Sequence, residues 1–136
     1  MTAETKRVTL TWQQKLLFRG GEAGGPVTTI DGDNAAGPGP MLTLLLAAAA
    51  CTASDVVVIL EKMRIRLTDF RIEASGVRRE EEPRRYTAIH LEYHLAGEGL
   101  DEPKARRAID LSIEKYCSVL HSLAPDIRIT RGLTLG

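Results

Sequence analysis

Residues 41–60, MLTLLLAAAACTASDVVVIL, restrict this chain more than any other segment. As a helix the stretch is long enough to cross a bilayer, and equally long enough to run through the middle of a folded domain. Asp55 separates the two readings, because a carboxylate at mid-membrane costs about 2.5–3.5 kcal/mol on the insertion scale. The centre of the stretch is also built from Ala, Thr and Ser rather than large aliphatic residues. A core helix facing protein on most sides accounts for both features, so no membrane span is expected. The N-terminal MTAETKRVTLTWQQ lacks the apolar segment of a secretion signal, which predicts a cytoplasmic protein with reduced thiols.

The 136 residues suit one domain, 1–136, burying about two-thirds of its extended-chain surface without staples. Lys plus Arg and Asp plus Glu number 18 each, so no net field favours nucleic acid, and none is expected as a partner. Two cysteines, neither in a CxxC, are too few for a disulfide scaffold and do not form a structural zinc motif. No cofactor or metal is expected.

Around the apolar helix the periodicity changes. RVTLTW alternates, with Val8, Leu10 and Trp12 on one face as in a half-buried strand. KLLFR and PVTTID predict two further strands, and the Gly- and Pro-rich DGDNAAGPGP predicts a loop. Pro40 then opens a helix expected to run to about Arg64. DFRIEASGVRR and YTAIHLEYHLAG alternate again, with EEEPRR as the hairpin tip between them. Asp101 is a candidate cap for a second helix, with Pro103 in its first turn. Ala105, Ile109, Ile113, Tyr116, Cys117, Leu120 and Leu123 follow helical spacing on one face, and Pro125 ends the run. DIRITRGLTL closes the chain as a strand. The order βββ–α–ββ–α–β defines an α+β fold.

Cys51 and Cys117, the only cysteines, each fall on the inner face of one helix, and one core could bring them together. Two readings fit. Free cysteine is among the most buried residue types, so both can be inert packing groups. Alternatively, one thiolate attacks a peroxide O–O bond and the second thiol captures the resulting sulfenic acid as a disulfide.

GPMLTLLLAAAACTASDVVVILEKMR followed by DLSIEKYCSVLHSL resembles the OsmC/Ohr family of osmotically inducible and organic-hydroperoxide-resistance proteins. Its EKYC context resembles one subgroup, and the likeness runs from LTWQQKLLFRG to the last strand. The resemblance implies an intertwined homodimer, two central helices wrapped by antiparallel sheets. It implies Cys51 as the peroxidatic cysteine and Cys117 as the resolving one. It implies reduction of organic hydroperoxides, with recycling by an external dithiol such as a lipoylated protein. In the family pattern an arginine covers the reactive sulfur and a glutamate holds it. Here Leu42 stands at the glutamate position, and residues 31–40 contain no arginine. Arg19 is the available cation from the N-terminal strands, and Asp55, one helical turn beyond Cys51, is a candidate supporting residue. The alternative expectation is a non-peroxidatic dimer that binds a small hydrophobic or thiol-reactive ligand in an interface pocket.

The remaining candidates read as structural. His90, Glu92 and His94 share one face of a strand, but same-face neighbours about 7 Å apart converge poorly on one metal ion. A solvated polar face is expected there, and a helix-surface role for His121. RREEEPRR balances both signs of charge, and GGEAGG lacks the lysine of a phosphate loop.

Overall fold

The computed structural model describes residues 2–136. The chain divides into a first compact unit ending at Leu44 and a second, Leu45–Gly136.

The first unit is an antiparallel meander of β1 (Thr9–Gln14), β2 (Leu17–Gly21) and β3 (Val27–Asp31). β1 and β2 join through a tight turn in which Lys15 takes a positive φ of 46° and Trp12 Nε1 donates to the Lys15 carbonyl at 2.8 Å. The alternation in RVTLTW does produce a strand, and Val8, Leu10 and Trp12 on its apolar face are all exposed. The loop after β3 is pinned by Asp31, whose carboxylate accepts the backbone N–H groups of Asp33 at 2.9 Å and Ala36 at 3.0 Å. Those N–H groups, Ala36 foremost, hold the Asp31 carboxyl below its ordinary pKa. The turn delivers the chain to Pro40, where a fixed φ and a missing N–H suit a helix start.

Helix α1 (Pro40–Lys62) comes next, the one helix among the described residues long and apolar enough to cross a membrane. Leu45, Ala48, Thr52, Val56 and Leu60 are buried, a single stripe at three- and four-residue spacing. Within one chain the helix is covered along this stripe. Leu46, Val57 and Val58 lie off the stripe and are exposed.

The rest of the second unit is a three-stranded sheet with a helical crossover. β4 (Arg66–Arg78) and β5 (Tyr86–Glu98) form a long antiparallel hairpin, and β6 (Arg128–Leu135) pairs with the other edge of β5. That last pair is parallel, which corrects the expectation of wholly antiparallel sheets. The physical reason is the connection: a strand that returns after a helical crossover lands parallel, whereas a short hairpin gives antiparallel pairing. β5 is therefore central, and its alternate residues Ile89, Leu91, Tyr93 and Leu95 are all buried. The opposite face carries His90, which contacts Thr130 Oγ1 at 2.7 Å and Glu92 Oε1 at 2.9 Å. Gly132 lies across from Glu92 in the parallel register, and a Cβ there would collide with its carboxylate. His94 Nε2 stands 3.5 Å from Glu73. These residues engage one another across the sheet.

The crossover is not the single helix that periodicity predicts. α2 (Glu102–Leu111) is capped by Asp101, whose Oδ1 accepts the Lys104 N–H at 2.9 Å. A π turn (Ser112–Tyr116) comes after it, then a short α3 (Ser118–His121). Cys117 occupies the joint with extended dihedrals, φ −69° and ψ 100°, and its N–H donates to the Ser112 carbonyl at 2.7 Å. The wider turn rotates Cys117 and α3 relative to an unbroken helix, so Cys117 is fully buried while its neighbour Tyr116 is exposed.

Candidate functional site

Three segments of the second unit converge: the middle of α1, the inward face of β5 and the π turn. α1 contributes Cys51, Thr52 and Asp55, β5 contributes Tyr93, and the crossover contributes Ser112 and Cys117. The two cysteines approach to 3.6 Å, with their thiols in hydrogen-bond contact, and both are free. A disulfide needs about 2.05 Å between sulfurs, so a rotamer adjustment of an ångström or two would join them.

The two thiols differ. Cys51 is half-buried and Cys117 is closed off from solvent. Burial is the largest influence on Cys117 and pushes its thiol up to about 11. The Leu120 N–H, directed at the sulfur, partly offsets this, whereas contact with Cys51 and the charge of Asp55 push the same way as burial. At neutral pH Cys117 is thus held as the thiol. The accessible sulfur is the one equipped to meet an external molecule, and the enclosed one can meet only its neighbour.

Beside the thiols runs a chain of hydroxyls. Tyr93 Oη and Thr52 Oγ1 are 2.7 Å apart, Thr52 Oγ1 and Ser112 Oγ are 2.7 Å apart, and Ser112 Oγ donates to Asp55 Oδ2 at 2.9 Å. That last bond fixes the direction of the other two. Ser112 spends its single proton on the carboxylate, so Thr52 must donate to Ser112, and Tyr93 to Thr52. Tyr93, Thr52 and Ser112 are fully buried, and each hydroxyl is satisfied. Burial foremost raises the Tyr93 phenol to about 12.

Asp55 is thus a neighbour of the cysteine pair, bonded to Ser112 and acting on Cys117 through its charge. It also lines a pocket of about 470 Å³ with Val58, Ile59, Met63 and Leu111 as apolar wall and Lys62 and Arg107 as cations. Arg19, by contrast, lies exposed on β2, opposite Thr11 and Thr29 in the first unit, and Leu42 is an exposed residue of the first turn of α1. His121 is exposed with Nε2 at 3.0 Å from the Ile113 carbonyl. Thr52, Tyr93 and Ser112 had no signal in the sequence, because each occupies an ordinary inward position on its element.

The raised groups make alkaline stability a measurable property of the site. Between their unfolded and folded pKa values, Cys117 and Tyr93 keep their protons only in the folded state. The folded state is then progressively penalised as pH rises from about 9 to about 12, at about 1.4 kcal/mol per pH unit for each group still protonated. Urea midpoints are expected to fall across that window, and Cys117→Ala is expected to remove the lower part of the fall. A midpoint independent of pH from about 9 to 11 would contradict the burial of these groups.

Comparison with known proteins agrees with this architecture. Residues 31–131 match the family model described as OsmC-like protein. The Escherichia coli K12 protein YhfA is 41% identical over 120 residues, which cover 88% of this chain and 90% of YhfA. The crystal structure of a hypothetical protein from Aquifex aeolicus is 30% identical with a TM-score of 0.88, covering 98% of each chain. The Bacillus subtilis organic hydroperoxide resistance protein OhrB shares the fold at 16% identity, with a TM-score of 0.64 over 96% of this chain and 98% of its own. By the family match across most of its length and the identity to YhfA, the chain belongs to the OsmC-like protein family.

Proposed function

We propose that the protein is a two-cysteine thiol peroxidase that reduces an organic hydroperoxide. Membership of the OsmC-like family supports a redox or peroxide-resistance role in general. The observation that carries the specific reading is the 3.6 Å approach of an accessible Cys51 to an enclosed Cys117.

The Cys51 thiolate attacks the terminal oxygen of the hydroperoxide. The O–O bond breaks, an alcohol leaves after protonation, and Cys51 becomes a sulfenic acid. Cys117 attacks that sulfur, water departs, and a Cys51–Cys117 disulfide remains. An external dithiol, of the class carried by lipoylated proteins, returns both sulfurs to thiols. The pocket beside Asp55 has apolar walls suited to the organic part of the substrate. It also supports the second reading, in which the pocket binds a small hydrophobic ligand and no turnover occurs.

Steady-state peroxide consumption tests the choice. With cumene hydroperoxide and dihydrolipoamide, the reading predicts saturable turnover that requires the protein. Ligand retention with no consumption above background would reject the peroxidase in favour of the binding reading.

The active particle is a homodimer in this proposal. Its support is the exposed apolar row Leu46, Val57 and Val58 on α1, with a groove of about 260 Å³ lined by Ala49, Ala50, Ala53, Phe70 and Ile72 beside Leu46. A second copy of the same chain offers a matching apolar surface. Sedimentation is expected to give twice the chain mass, and Leu46→Glu is expected to give the monomer. A wild-type monomer at micromolar concentration would overturn the dimer.

A further inference from the structure

We propose that Asp55 is the base that takes the Cys117 proton when the two sulfurs join, and that the Tyr93–Thr52–Ser112 hydroxyl chain holds its carboxylate in the orientation for that transfer. The inference rests on the two-cysteine reading above, but it can fail separately from it.

The need for a base is set by burial. A thiol enclosed on all sides and pushed up to about 11 has almost no thiolate at neutral pH, and solvent cannot reach it to remove a proton. Asp55 meets the need by position. It stands one helical turn beyond Cys51 on α1, and its carboxylate accepts from the Ser112 hydroxyl while the Ser112 carbonyl accepts the Cys117 N–H, so one residue of the π turn ties Asp55 to Cys117. Its charge acts on the Cys117 sulfur, and its other side opens on the 470 Å³ pocket, which gives the proton a way out.

The hydroxyl chain explains why that carboxylate remains an acceptor. Every proton in Tyr93→Thr52→Ser112→Asp55 points toward the carboxylate, so the chain fixes its orientation and leaves its oxygens as acceptors. The titratable or charged groups nearby are the Cys51 and Cys117 thiols, Tyr93 and, at the pocket, Tyr116, Lys62 and Arg107. Arg131 acts on Tyr93 and is itself paired with Asp110 and Glu114.

In the peroxide reaction, the Cys117 electron pair forms the S–S bond as the Cys51 S–O bond breaks. The thiol proton passes to Asp55 and then to the departing hydroxide, giving water. The same proton transfer can be isolated without peroxide. Dithiobis-nitrobenzoate oxidises Cys51 to a mixed disulfide and releases one thionitrobenzoate. Cys117 then attacks the Cys51 sulfur, the second thionitrobenzoate leaves as a thiolate, and the Cys117 proton goes through Asp55 to solvent. Absorbance of the released thionitrobenzoate reads both steps, and Cys117→Ser identifies the second by its loss.

The expected second step in the wild type is flat from about pH 6 to pH 8, because proton transfer to a positioned base does not draw on the rare free thiolate. In Asp55→Asn it is expected to be about 10²-fold slower at pH 7 and to rise tenfold per pH unit, following the rare thiolate. A wild-type rate that itself rises tenfold per unit would overturn the proposal, and this measurement needs no variant. Equal rates and slopes in wild type and Asp55→Asn would overturn it too. Failure of peroxide turnover with a flat, Asp55-dependent second step would reject the peroxidase reading alone.

Discussion

Cys51→Ser is expected to reduce peroxide consumption to the uncatalysed background, a loss of at least about 10³-fold, without unfolding the protein. Serine keeps the volume of a half-buried position, so packing changes little. The variant lacks the only sulfur of the pair that an external molecule can reach. A hydroxyl is not ionised at neutral pH and is a poor nucleophile toward an O–O bond, and Cys117, closed off behind it, cannot substitute. Cys117→Ser separates the two roles. There the first attack proceeds and Cys51 accumulates as a sulfenic acid that excess peroxide carries on to the sulfinic state. A dimedone-type trap followed by peptide mass measurement reads both variants. Retention of turnover in Cys51→Ser would remove Cys51 from the attacking role.

Leu60→Ala is expected to have the largest effect on stability, about 2–5 kcal/mol lost, because the side chain is fully buried on the one covered stripe of α1. The cost combines lost apolar transfer with a cavity that a helix also tied down through Thr52 and Asp55 cannot collapse to fill. Ser54→Ala, on an exposed face of the same helix where its hydroxyl bonds back to the Ala50 carbonyl, is expected to stay within about 0.5 kcal/mol. Urea unfolding at one fixed protein concentration checks both, since association would make the midpoint depend on concentration. Equal midpoints for the two variants would contradict the one-stripe packing of α1.

Element order was legible in the sequence because each segment carries its own period. β5 alternates cleanly, and its inward residues are those the pattern assigns. The Asp101 cap and the Pro40 start follow from local backbone chemistry and needed no tertiary information. The crossover departs from its periodicity for a definite reason. Cys117 and Tyr116 both satisfy a 3.6-residue spacing, and nothing in SIEKYC announces a fifth residue in that turn. Exposure departs from the pattern in RVTLTW and over much of α1, because apolar periodicity predicts a face to be covered without saying what covers it.

The site was half legible. Cysteine is rare here, so Cys51 and Cys117 stand out, and the family resemblance of their surroundings pairs them. Asp55 stands out as a charge in an apolar run. Thr52 looks like any helical threonine, Tyr93 like any inward strand aromatic and Ser112 like any serine within a helix. Their hydrogen bonds link positions far apart in the sequence, which no local pattern encodes. The Cys51–Cys117 cluster draws on a carboxylate supplied by the same helix as Cys51.

Intact mass after brief treatment of the reduced protein with a slight excess of cumene hydroperoxide asks whether two thiols held in contact behave as one redox unit. The expected spectrum shows a single species lighter by two hydrogens, returned to its starting mass by a dithiol and absent in Cys117→Ser. An unchanged mass with both thiols still alkylatable would contradict the account, leaving the pair as packing groups.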